Sequence, residues 1–124
     1  MIRLGTVVLG ADDVDRAVAF WSAVLGYEPV HFADAENGFT ILVPPSGVGA
    51  RVALQRADTP ADEHPRIHLD LVVESPADQA VEVDRLVGLG ASRVAWDSYG
   101  PDPDFVVLAD PEGNRFCVVD ASHG

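Results

Sequence analysis

Leu25-Gly26 returns 64 positions later as Leu89-Gly90, and Leu9 returns 62 positions later as Leu71. The two-residue difference falls in the strand-to-helix turn. Each copy carries the same order of patterns. A strand-like run comes first, then an amphipathic helix closed by glycine, then three more strand-like runs. This repeat restricts the fold more than any single motif. It predicts an α+β chain of two tandem βαβββ modules related by a pseudo-twofold axis. Each sheet would carry a helix outside and leave its other face free, so that the β-sheet curves around a cleft.

In the first copy, residues 4–11 read as a strand. Asp12 or Asp13 can cap the following helix by accepting from a free amide of its first turn. Val14, Ala17, Val18, Trp21, Val24 and Leu25 fall on one helical face, and Gly26 stops the helix. This stripe assigns Trp21 to the core rather than to ligand stacking. Residues 27–32 predict a strand that Pro29 places at an edge. Residues 34–38 predict a turn, 39–43 a strand, 44–49 a loop and 51–56 a strand. This module spans about 3–56, and the charged, proline-containing stretch 57–65 reads as an exposed linker.

The second module spans about 66–121. Residues 67–73 predict its first strand. Ser75-Pro76-Ala77-Asp78 reads as a capping box with proline at the first helical position. The helix runs to about Leu89, with Ala80, Val83, Leu86 and Val87 inward. Strands are predicted at 92–96, 105–109 and 115–120, with a loop at 97–104, a tight turn at 110–114 and a frayed tail at 122–124. All this reads as one domain over 1–124.

The 124 residues are 48% hydrophobic and 23% charged, which describes a globular chain rather than a disordered one. Eight Lys+Arg against twenty Asp+Glu give a net charge of −12. Such a chain repels phosphate backbones and anionic lipid surfaces, so neither nucleic acid nor membrane is an expected partner. Cys117 is the single cysteine, so no internal disulfide forms, as in a reducing cytoplasm. The N-terminal apolar run is too short for a signal peptide, and no stretch reaches the ~20 apolar residues of a membrane span. A cytoplasmic location is the expectation.

The chemistry centres on residues 66–73. Strand alternation turns Ile67, Leu69, Leu71 and Val73 toward a core, and His68, Asp70 and Val72 toward an open or cleft-lining face. His68 reads either as a cleft histidine bonded to Gln55 or Thr6, or as a general base that titrates near neutral pH. Asp70 can orient it. Arg115 shares a face with Cys117. Trp96, Tyr99 and Phe105 flank the long loop and suit the mouth of an apolar pocket. His31 and His64 read as surface residues.

Residues 13–21 running into Leu25-Gly26, then Leu89-Gly90-Ala91, and above all Asp110-Pro111-Glu112-Gly113-Asn114-Arg115-Phe116, resemble the vicinal oxygen chelate superfamily, the glyoxalase and bleomycin-resistance fold. The resemblance covers residues 4–119. It implies a glyoxalase-like fold, a small-molecule ligand and a homodimer. Metal-using members place His or Glu ligands for a divalent metal on the first and last strand of each module. Carried over, those positions fall on Thr6, Gln55, His68 and Cys117, of which His68 alone is a usual ligand. The resemblance therefore implies a degenerate metal site, no resident cofactor, and ligand binding of the drug-sequestering kind through Thr6, Gln55, Asp70, Trp96, Phe105, Arg115 and Cys117. The alternative is a lyase or isomerase using His68 as general base, or as metal ligand with Gln55 or Cys117.

Overall fold

The computed structural model describes residues 1–31 and 38–123. The turn expected at 34–38 thus lies outside the described residues except for Gly38. The elements are β1 (Thr6–Ala11), α1 (Val14–Leu25), β2 (Glu28–His31), β3 (Phe39–Val43), β4 (Arg51–Arg56), β5 (Asp70–Val73), α2 (Pro76–Leu89), β6 (Ser92–Arg93), β7 (Phe105–Ala109) and β8 (Arg115–Asp120). The βαβββ order occurs twice. The chain divides into two compact units, Met1–Pro60 and Ala61–Gly124. The strands form two separate four-stranded sheets, ordered β1-β4-β3-β2 and β5-β8-β7-β6. In each sheet the first and last strands of the module pair in parallel and the others antiparallel.

In the first unit, Asp13 caps α1 by accepting from the Arg16 amide at 3.1 Å. Gly26 ends the helix at φ 67°. Ala17, Val18 and Trp21 are buried as the apolar stripe predicts, and Phe20 joins them, its ring edge-on to Trp21 at 5.2 Å. Leu42, Val52 and Leu54 complete this core.

In the second unit, Ser75 caps α2 by accepting from the Asp78 amide. Val83 and Leu86 are buried, as are Leu108, Phe116 and Val118. Ala80 and Val87, expected inward, are exposed, because only a narrow stripe of this less apolar helix meets the sheet. Gln79 spans the layers, donating from Nε2 to the Asp104 and Val118 carbonyls at 3.1 and 3.0 Å.

Three strand boundaries depart from sequence expectation by two residues or more, and so does the tail. β1 begins at Thr6, two residues late. β5 begins at Asp70, and Ile67, assigned to the core by alternation, is 82% exposed. Alternation orients side chains only where a ladder holds the backbone, and β8 supplies a partner from Asp70 onward. β6 stops at Arg93 rather than 96. Tyr99 takes over the edge of β7, its hydroxyl accepting the Val107 amide at 2.8 Å. The tail expected to fray is tied down: Asp120 accepts from the Ser122 amide and hydroxyl, and His123 Nε2 lies 3.2 Å from Asp102. No described helix is long and apolar enough to cross a membrane.

The β7–β8 turn is built around Asp110, which is 3% exposed. Its Oδ1 accepts from the Glu112 and Asn114 amides at 3.0 and 2.8 Å. Gly113 sits at φ 89°, where a side chain is strained. Replacing Asp110 with alanine strands these amides. Urea denaturation followed by circular dichroism is expected to show a loss of about 2–3 kcal/mol, with Asp110→Asn losing less.

Candidate functional site

The parallel β5–β8 register sets Asp70 opposite Cys117, and the antiparallel β7–β8 register sets Val107 on the other side. Paired residues point to the same face. Asp70, Cys117 and Val107 therefore form one cross-strand row on the face away from Leu108, Phe116 and Val118. Val72, Val119 and Phe105 form the next row, and Arg115 with Ala109 the row before. A cavity of about 410 Å³ opens on this face. Six of the residues picked out from sequence line it: His68, Asp70, Trp96, Phe105, Arg115 and Cys117.

Asp70 is the hub. His68 Nε2 lies 3.2 Å from its Oδ1. A neutral imidazole in this pose carries its proton on Nε2 and turns the Nδ1 lone pair free. The Cys117 thiol lies beside Asp70, its sulfur within 4.8 Å of the carboxylate. Burial of Cys117, and then the Asp70 carboxylate next to it, push the thiol up to about 11. The thiol therefore stays protonated at neutral pH and is not a ready nucleophile.

The wall is aromatic and cationic. The His64 ring lies against Trp96 at 4.9 Å between centroids, and the Arg115 guanidinium sits 5.9 Å from the centre of the same indole. Arg115 also donates to the Ala95 carbonyl at 3.3 Å. Trp96 Nε1 is buried without a hydrogen-bond partner among the described residues. His64 pairs with Asp97 at 3.3 Å, and this hydrogen bond, with that from Ser98, holds the Asp97 carboxyl below its usual range. His64 reads from sequence as a surface residue, and no local pattern marks it for the cavity. Asp104 lines the cavity as well and was also not singled out. Tyr99 instead stacks on Phe105 at 5.1 Å and serves the sheet edge.

Thr6 and Gln55 belong to the first unit. Thr6 pairs with Arg51 and Gln55 with Gly10, four positions apart in the ladder. At about 3.3 Å per residue they stand roughly 13 Å apart along the sheet. The register does not bring these two together at one ion. His31, on β2, is exposed, with Nδ1 3.3 Å from the Thr40 hydroxyl.

Residues 6–119 match a family model described as glyoxalase-like domain. The chain belongs to this glyoxalase-like family. No curated protein matches it in sequence. Solved structures share the fold. Protein ATC0852 from Agrobacterium tumefaciens is 19% identical with a TM-score of 0.74, covering 97% of this chain and 98% of that one. A glyoxalase/bleomycin resistance protein from Albidiferax ferrireducens T118 is 17% identical with a TM-score of 0.65, covering 94% and 97%. A mutant of the fosfomycin resistance protein FosX from Listeria monocytogenes, complexed with Mn(II) and 1S,2S-dihydroxypropylphosphonic acid, is 15% identical with a TM-score of 0.72, covering 96% and 90%. At these identities the likeness shows the glyoxalase-like fold alone.

A metal of the kind that FosX structure holds can be tested against the donors here. Ligand atoms of His68, Asp70 and Cys117 lie within 4.8 Å of one another, close enough to share a cation. Their chemistry does not fit a hard ion such as Mn(II). Such ions favour carboxylate, carbonyl and water oxygens, whereas two donors of the three are a soft cysteine sulfur and an imidazole nitrogen. Asp70 already holds His68.

The thiol offers a direct check. At pH 8 roughly one Cys117 in a thousand is ionised, so iodoacetamide is expected to alkylate it slowly, with the rate climbing toward pH 11. Asp70→Asn removes the negative charge that opposes ionisation. It is expected to speed alkylation several-fold at pH 8, read by mass spectrometry.

Proposed function

We propose that this glyoxalase-like chain binds a small, planar organic ligand in the second-unit cavity, without a resident metal. The observation that carries this reading is the cavity of about 410 Å³, a size suited to a drug-sized molecule, with Trp96 and Phe105 among its lining. Aromatic faces gain from stacking with a planar ligand, and Arg115 and His68 supply donors for its polar groups. The soft Cys117 sulfur among the donors, and the Asp70 carboxylate held by His68, support binding without a hard metal ion such as Mn(II).

A second reading, a lyase or isomerase, is favoured by the His68–Asp70 pair. In it, Nδ1 of His68 takes a proton from a carbon next to a carbonyl, and Asp70 stabilises the imidazolium that forms. A homodimer is part of the proposal too. β1 and β5 each lie at an edge of their sheets, and Val8 and Val72 on them stay 47% and 60% exposed.

Three measurements test this. Titration with the planar fluorophore 8-anilinonaphthalene-1-sulfonate in EDTA is expected to saturate at one site per chain, with Trp96→Ala or Phe105→Ala weakening it about tenfold. Stoichiometric metal in protein purified without chelators, lost in His68→Ala, would overturn the metal-free reading. Light scattering after gel filtration is expected to give twice the chain mass; a monomer at every concentration removes the dimer.

A further inference from the structure

All eight basic residues of this acidic chain are arginines. Arg85 pairs with Glu82 at 2.6 Å and Arg93 with Asp84 at 3.1 Å, while Arg115 is held by Trp96 and the Ala95 carbonyl. Arg3 and Arg51 have no ion-pair or side-chain hydrogen-bond partner among the described residues. Both line one cavity of about 380 Å³ in the first unit, together with Leu4, Gly5 and residues 47–50. Two unneutralised guanidiniums beside one cavity repel each other unless something negative lies between them.

The surroundings are already organised. The Arg51 amide donates to the Gly5 carbonyl at 2.9 Å, which fixes the start of β4 beside the N-terminal segment. The loop between β3 and β4 is pinned three ways. The Gly47 amide donates to the Pro44 carbonyl at 2.9 Å and the Val48 amide to the Ser46 hydroxyl at 3.2 Å. The Tyr27 hydroxyl donates to the Ala50 carbonyl at 3.3 Å. The lining is also uncrowded: a Cβ placed on Gly5, Gly47 or Gly49 would meet no atom within 4 Å. No acidic side chain is among the lining residues, although twenty acids are spread over the chain.

We propose that this cleft binds a doubly charged oxyanion, the chemistry of a phosphate or phosphate monoester, between Arg3 and Arg51. Two planar guanidinium forks match a dianion in both charge and geometry, and each can bond two of its oxygens. Leu4 and Val48, 72% and 78% exposed at the rim, offer apolar contact to a short organic group carried by the anion. The site uses none of the residues of the second-unit cavity and stands or falls independently of the function proposed there.

The test is a titration of the full chain with inorganic phosphate at pH 7.5 and constant ionic strength, followed by nitrogen–proton NMR. The expected result is saturable movement of the Gly47, Gly49 and Arg51 amides. Binding is expected to weaken at least about tenfold in Arg3→Gln and in Arg51→Gln, and to stay unchanged in Arg66→Gln. Acetate, a monoanion, is expected to move the same amides only at much higher concentration; acetate binding as tightly as phosphate overturns the dianion assignment. Movement that does not saturate, that persists in Arg51→Gln, or that appears equally at Arg66 overturns the site. A Gly5→Glu variant, which sets a carboxylate at the cleft, is expected to keep the wild-type circular dichroism spectrum and lose phosphate binding; retained binding also overturns it.

Discussion

The parallel pairing of β5 with β8 is the contact on which the candidate site depends. It joins strands about 47 residues apart in sequence (Asp70 to Cys117), and it is closed at its start by the Cys117 amide donating to the Leu69 carbonyl at 2.9 Å. A shift of one residue would turn Cys117 and Asp70 to opposite faces. The Asp110 turn protects that register from the other side, because it sets where β8 leaves β7. A carboxylate buried in a turn thus determines which residue of β8, Cys117, stands beside another carboxylate, Asp70, which lies 40 positions earlier in the chain.

Asp70 in turn decides what its neighbours can do. Its charge adds to burial in keeping the Cys117 thiol neutral, and by holding His68 Nε2 it leaves Nδ1 as the ring nitrogen not engaged with it. The same carboxylate therefore suppresses thiol chemistry and favours imidazole chemistry. The first half follows from electrostatics, since a fixed negative charge opposes a thiolate, and the second from the orientation that the carboxylate gives the ring.

The two units use the repeated topology differently. In the second, the open face of the sheet carries charged and aromatic groups around a cavity. In the first, the corresponding strands carry Thr6, Val8 and Gly10 opposite Arg51, Ala53 and Gln55, a sparser set. Arg3 and Arg51 gather at the end of that sheet, where Arg51 begins β4. Divergence between copies of one module is thus concentrated in the residues off the core, while Leu-Gly helix ends and apolar strands persist in both.

Sequence alone determined the element order, both helix caps and most strand limits. Those depend on local physics: Asp13 and Ser75 satisfy nearby amides, Gly26 and Gly90 end their helices with φ above zero, and the apolar runs bounded by turn residues coincide with β3, β4, β7 and β8. The repeat and the turn at Asp110 also made the family legible. Tertiary structure decided the rest. Ile67 lies outside the ladder that alternation presupposes, His64 reaches Trp96 across 32 positions, Tyr99 replaces β6 at a sheet edge, and Thr6 and Gln55 stand apart by register. Each of these is a long-range pairing, and no window of neighbouring residues carries the information about which distant backbone will supply the partner.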